Sequence, residues 1–401
     1  MIVRFSFQNF KSYKNETNLD FQAAAIPEFG DALIKREKVS SLLPVSVVYG
    51  PNGGGKTNLL MALACLISLV VDPIYKLDKN RMKVYQQPMY YQPFLFDNIS
   101  ENAPTIFDLF FRTSENEFRY YISIQNGEII DECLYKKTYA GKKTATIFER
   151  ERDDITLGAT LRSKSINKDV NPKMPYLSFL SINYNIPVIA EAQCWFESCI
   201  LRSYADSASE TSLLLSSGKD QKSNILRLMN DMGIDINDYQ YDDEHKELYL
   251  YRTIDGKSYE MNFLGESAGT QKLFSVLPYV IIALNEGRLM IVDELDAKLH
   301  PKLLRYIICL FKNPDINRNG AQLLFTSHDL TTMSNTVFRR DEIWFAALNE
   351  KRESEIYSLY DIRTVDDKHI NNTAAYNKQY LEGRYGADPY LKTILKWEVK
   401  A

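Results

Sequence analysis

The chain has 401 residues, 45% of them hydrophobic and 25% charged, a globular composition that excludes a disordered or fibrous protein and allows two or three domains, or one large domain with an insertion. A net charge of −4 and a pI of about 5.8 exclude a generally cationic nucleic-acid binder while leaving room for a local basic patch. Five cysteines without metal-type spacing point to reduced thiols, and Cys194 and Cys199 read as packed residues rather than zinc ligands.

The opening MIVRFSFQNF has no signal-peptide organisation. Its alternation from Met1 to Phe7 predicts a strand, and residues 18–22 predict a second. Leu43 to Tyr49 is a short β-branched run, and Asn58 to Val71 is an apolar stretch without Gly or Pro that predicts a buried helix. Residues 72–105 look irregular, with prolines at 73, 88, 93 and 104. Residues 106–139 predict an antiparallel meander with turns at Ser114-Glu115-Asn116 and Asn126-Gly127. The lysines at 136, 137, 142 and 143 read as a solvated hairpin protecting a sheet edge, or as a nucleic-acid contact. Residues 176–235 look helical, and 237–263 return to short strands around Asp255-Gly256.

After Gly265 the pattern is α/β: a helix over 270–284, a strand over 288–292, a helix over 300–311, and strands over 321–326 and 341–346. The expected layout is a nucleotide-binding head built from residues 1–150 and 256–401, with a mostly helical insertion at 151–255. The apolar runs 59–71, 276–284 and 289–292 are too short to span a bilayer, so a cytoplasmic protein without a membrane partner is expected.

Residues 50–57, Gly-Pro-Asn-Gly-Gly-Gly-Lys-Thr, lie between the predicted strand and helix. In that context Asn52, Gly53, Gly54 and Gly55 form a phosphate cradle of backbone N–H groups at a helix N-terminus. Lys56 is expected to reach the β- and γ-phosphates of ATP, Thr57 to place its hydroxyl on Mg²⁺, and Asn58 to begin the helix beside them. A glycine turn before a helix is the structural alternative, weakened by the complete motif.

Leu289 to Val292 predicts a strand ending in Asp293 and Glu294, which suit a metal-holding carboxylate and a general base. Phe325-Thr326-Ser327-His328-Asp329 ends a second strand in a histidine that can face the γ-phosphate. Glu266-Ser267-Ala268-Gly269-Thr270 opens an apolar helix, either as an anion site or as an ordinary N-cap at Ser267.

In this order the elements resemble the ABC-type ATPase heads of Rad50, structural-maintenance-of-chromosomes and RecF proteins. The resemblance implies an α/β P-loop head: a mixed sheet with flanking helices plus an antiparallel β subdomain. It places Lys11 and Ser12 near the nucleotide and makes Ser267 and Gly269 a degenerate signature motif that contacts the ATP of a second copy. It makes Asp296 the D-loop residue, His328 the switch histidine, and Gln92 the candidate glutamine-loop metal contact.

The segments GESAGTQKLF (265–274), IVDELDAKLHP (291–301), TSHD (326–329) and GRYGADPYL (383–391) are similar to the AAA-type ATPases of the AbiLi/RloA abortive-infection kind, related to the OLD family. That similarity implies an ATP-hydrolysing switch that self-associates head to head. It would respond to a phage-derived trigger and control a separate effector, a Toprim-type nuclease. Only about 70 residues follow His328, too few for an attached Toprim domain together with the remaining ATPase elements. A RecF-like DNA-repair ATPase is the alternative, with nucleic acid as partner.

Overall fold

The computed structural model describes residues 1–77, 92–162, 164–203, 219–242, 244–245, 247–364, 367 and 369–387. The other residues, among them Pro88, 204–218 of the predicted helical stretch and Asp388–Leu391 of GRYGADPYL, lie outside that description.

Strands β1 (Ile2–Gln8) and β2 (Thr17–Asp20) begin one sheet, and β3 (Val45–Tyr49) enters another. The first sheet continues through β4 (Thr105–Arg112), β5 (Asn116–Gln125), β6 (Glu128–Thr138), β7 (Ala145–Glu151) and β8 (Asp154–Leu157), in the order β2-β1-β4-β5-β6-β7-β8. All its pairs are antiparallel, and period-2 alternation sets their faces: Phe107, Leu109, Phe118 and Tyr120 are buried, whereas Asp108, Arg119 and Tyr121 face outward and are half-buried. Asn126 and Gly127 both take positive φ (53° and 82°), which a two-residue hairpin turn with the strands' own twist requires.

The second sheet adds β9 (Ile200–Ser203), and β10 (Asp238–Asp242), β11 (Glu247–Ile254) and β12 (Lys257–Asn262) form a small antiparallel sheet of their own. Strands β13 (Leu289–Asp293), β14 (Gln322–Thr326), β15 (Ile343–Leu348) and β16 (Ser354–Ser358) complete the second sheet, in the order β16-β15-β3-β14-β13-β9. Its pairs are parallel except that of β16.

Helices cover both faces of the parallel sheet, so its inner strands β3, β13, β14 and β15 are almost wholly buried. Helix Lys56–Leu77 lies in the layer between the two large sheets. Its Leu63, Leu66 and Val70 share a core with Phe5, Phe107 and Tyr120 on one side and with Leu289, Ile291 and Leu324 on the other. Helices Ala268–Glu286 and Pro301–Lys312 cover the opposite face, where Val276 and Ile307 share a core with Val47, Met290, Val292 and Phe325. Each such buried side chain contributes roughly 1.5–3 kcal/mol of hydrophobic transfer energy. Lys56–Lys76 is the one segment among the described residues long and apolar enough by composition to cross a membrane. The helix runs six residues past the predicted Val71, through Pro73, and packs inside the core.

Three expectations change. The described residues of 151–255 are not mostly helical: helices Tyr176–Asn183, Pro187–Ser198 and Lys219–Asp231 alternate with β8, β9, β10 and β11, and β9 is a strand of the central parallel sheet. The lysine-bearing hairpin is not a sheet edge, because β6 and β7 are both paired and β2 and β8 hold the edges. Cys194 is exposed rather than packed, while Cys199 is buried as expected.

Candidate nucleotide-binding site

The parallel sheet brings the ends of β3, β14 and β13 together. Thr326 stands opposite Val48, and Val292 opposite Phe325, so residues after all three strands emerge at one edge. Ligand sites in open α/β sheets form at this carboxyl edge.

The glycine loop leaves β3 at Gly50, whose φ of 146° suits glycine alone, and Asn52 and Gly53 are exposed at its tip. Gly54 donates its N–H to the carbonyl of Pro51 at 3.1 Å. At Gly55, with φ 109°, an added Cβ would lie 2.5 Å from Ser354 Oγ and 3.0 Å from the Tyr13 hydroxyl. The loop is therefore walled from behind by buried Tyr13, which donates to the Gly55 carbonyl at 3.2 Å, and by Ser354.

Ser12 joins these walls to the helix: its Oγ accepts from Asn58 Nδ2 and from Ser354 Oγ, both at 2.8 Å. Lys11, at φ 51°, lays its ammonium along the helix 2.8 Å from Met61 Sδ, and burial holds its pKa below the usual lysine value. Its N–H donates to the carbonyl of Gln92 at 2.7 Å.

Lys56 is buried, and its Nζ donates to the carbonyls of Gly50 (2.9 Å) and Pro51 (3.1 Å). Burial lowers its pKa, while Asp293, Glu294 and Asp296 pull it back up. Thr57 Oγ1 donates to Asp293 Oδ2 at 2.9 Å, and Thr326 Oγ1 donates to Asp293 Oδ1 at 2.6 Å. The same Thr326 oxygen accepts from the Glu294 N–H at 2.7 Å, as Glu294 turns out of the strand at φ 53° with its side chain exposed. His328 is exposed on the next strand end, and its N–H donates to Asp296 Oδ2 at 2.9 Å. Burial and then the Lys56 charge hold the His328 imidazole below its usual pKa, against the three carboxylates. At neutral pH it is an uncharged donor or acceptor.

The geometry therefore brings Asn52 to Thr57, Asp293, Glu294, Asp296 and His328 to one edge, with Lys11, Ser12 and Asn58 beside the loop. It does not bring the rest there by any hydrogen bond. Gln92 is exposed and bonded to the Lys11 turn, not to Thr57 or Asp293. Ser267 is an exposed N-cap, accepting from the Thr270 N–H at 3.2 Å, and Gly269 packs towards the Lys298 carbonyl.

The residues fit a nucleotide with a hard divalent cation. The loop backbone at Gly55 lies so close to its wall that a Cβ would clash with Ser354 and Tyr13, and the Thr57–Asp293 pair offers oxygen donors. Among the described residues no three His, Cys, Asp or Glu side chains cluster as a metal cage.

Glycine loop, two carboxylates after a neighbouring parallel strand and a histidine on the strand between define a P-loop ATPase domain. A family model described as "AAA domain, putative AbiEii toxin, Type IV TA system" matches residues 45–334, and the chain belongs to that family. No curated protein sequence matches the chain. The solved structures similar to it include two of low identity. The SMC head domain from Thermotoga maritima is 10% identical, with 89% of this chain and 98% of that one covered and a TM-score of 0.44. An SmcHead bound to the C-winged helix domain of ScpA is 12% identical, with 89% and 97% covered and a TM-score of 0.39.

Proposed function

We propose that the chain is an ATP-hydrolysing switch of the AbiLi/RloA abortive-infection kind, acting in bacterial anti-phage defence through a separate effector, a Toprim-type nuclease. The observation that carries the ATPase part of the reading is the Thr57–Asp293–Thr326–Glu294 chain of hydrogen bonds at the edge of the parallel sheet, and the AbiEii-type family match supports the defence part. Lys56 and the loop N–H groups bind and orient the β- and γ-phosphates. Thr57 and Asp293 would hold Mg²⁺, which would neutralise charge on the phosphate oxygens. Glu294 takes the proton of the attacking water, and uncharged His328 positions the γ-phosphate.

Ser267 and Gly269 are exposed or half-exposed at the start of their helix and share no hydrogen bond with the loop. This arrangement supports a site completed by the Ser267 end of a second copy, so that ATP binding closes two heads and hydrolysis releases them. On this reading Lys56→Ala abolishes ATP binding in equilibrium titration. Ser267→Arg keeps binding and loses hydrolysis; full activity in Ser267→Arg would contradict a shared site.

The second reading, a DNA-binding repair ATPase, is favoured by Lys137, Lys142 and Lys143, which are exposed at the β6–β7 hairpin. It requires duplex affinity that falls steeply with salt, and a titration at two salt concentrations separates the readings.

A further inference from the structure

Lys272 is fully buried in the helix that Ser267 caps, an expensive place for a charged amine unless its donors are used. Its Nζ donates to the carbonyls of Glu294 at 2.8 Å and Ala297 at 2.7 Å. These two carbonyls bracket the turn that carries Glu294 and Asp296. The turn is strained: Glu294 has φ 53° and Lys298 φ 63°, unusual values for residues with a Cβ. The same helix touches the turn a second time, because a Cβ at Gly269 would lie 3.1 Å from the Lys298 carbonyl. Asp296 in turn accepts from the His328 N–H. One rigid helix thus presents Ser267 to the outside at its first turn and grips the catalytic turn from within at its second.

We infer that Lys272 is a positioning residue: it holds the Glu294 turn in its hydrolytic conformation and mechanically links the exposed Ser267 end of the helix to the chain's own Glu294. This rests on the ATPase reading above. Glu294 is aimed by its backbone, which is tied to Thr326 through N–H and to Lys272 through C=O. Displacement of the helix when a second copy engages Ser267 is transmitted to Glu294 through that carbonyl. Burial brings the Lys272 amine down to about 8, with Asp296 and Glu294 opposing the fall and Lys298 adding to it, so the ammonium prevails at neutral pH.

The test is a double-mutant cycle of Lys272→Met and Glu294→Gln in the full chain, with steady-state ATP hydrolysis and equilibrium MgATP binding measured on all four proteins. Lys272→Met is expected to lower kcat by about tenfold or more with MgATP affinity kept within about twofold, as misplacement of a catalytic group does. In the Glu294→Gln background the same change is expected to cost less than about twofold, because the residue it acts through is gone. A kcat within about twofold of the parent, or an equal loss in both backgrounds, overturns the inference. If Glu294→Gln itself hydrolyses ATP at the parent rate, the general-base role of Glu294 fails instead, and if the parent protein hydrolyses no ATP, the ATPase reading fails. Should Lys272→Met not fold, Lys272→Arg carries the same cycle, since it keeps the charge but moves the donors. Its expected result is an intermediate kcat with a loss that again vanishes beside Glu294→Gln, and unchanged kcat overturns the inference.

Discussion

Thr326 holds both acidic residues of the site, donating to Asp293 and accepting from the Glu294 N–H, and it is fully buried. Thr326→Val keeps the shape and removes both bonds. It should destabilise the protein by about 1–3 kcal/mol in urea unfolding, the cost of stranding buried partners, and should lower ATP turnover; unchanged stability would show that the bonds are replaceable. Lys272 gives a prediction in pH. Its amine titrates at about 8 in the folded chain against 10.5 in the ordinary case. Between those values the unfolded chain holds the proton that the folded chain has lost, so unfolding free energy rises with pH through that window. Urea unfolding of the parent against Lys272→Met at pH 7.5 and pH 10 should show the parent gaining relative stability at the higher pH. An equal difference at both would place the amine near its ordinary value.

At the scale of elements, the glycine loop depends on a wall from distant sequence. A methyl at Gly55 meets Ser354 and Tyr13 and would also have to hold φ 109°. Gly55→Ala should cost about 1–3 kcal/mol, the usual price of a side chain in such a conformation, and should weaken ATP binding sharply in titration, whereas Gly53→Ala, with open space around it, should be milder. Binding unaffected by Gly55→Ala would mean the loop relaxes freely.

This dependence also explains what the sequence could and could not disclose. Gly50 to Thr57 was readable because phosphate binding needs contiguous residues between a strand and a helix. The meander was readable from alternation and Asn-Gly, and β11–β12 from Asp255-Gly256, whose φ values of 49° and 75° match the hairpin turn. Thr326, Lys272, Tyr13 and Ser354 were not, because their roles come from strand order and from partners 22 to 342 residues away. Strand β9 escaped because ILRS is four residues long, directly after a helix, and becomes a strand only by pairing with β13.

At the scale of the molecule, one helix layer lies between the two large sheets, and the loop, the carboxylates and the histidine share the exposed edge of one of them. The helix Ala268–Glu286 is buried along most of its length, yet Ser267 at its start is open. On the proposed reading, this buried helix with its exposed tip is the part that would sense a second copy of the chain. The measurement that reaches this claim most directly is sedimentation velocity of Glu294→Gln with and without MgATP. The account predicts self-association that requires MgATP and disappears in the Glu294→Gln, Ser267→Arg double variant. A Glu294→Gln protein that binds MgATP stoichiometrically yet sediments unchanged would contradict it.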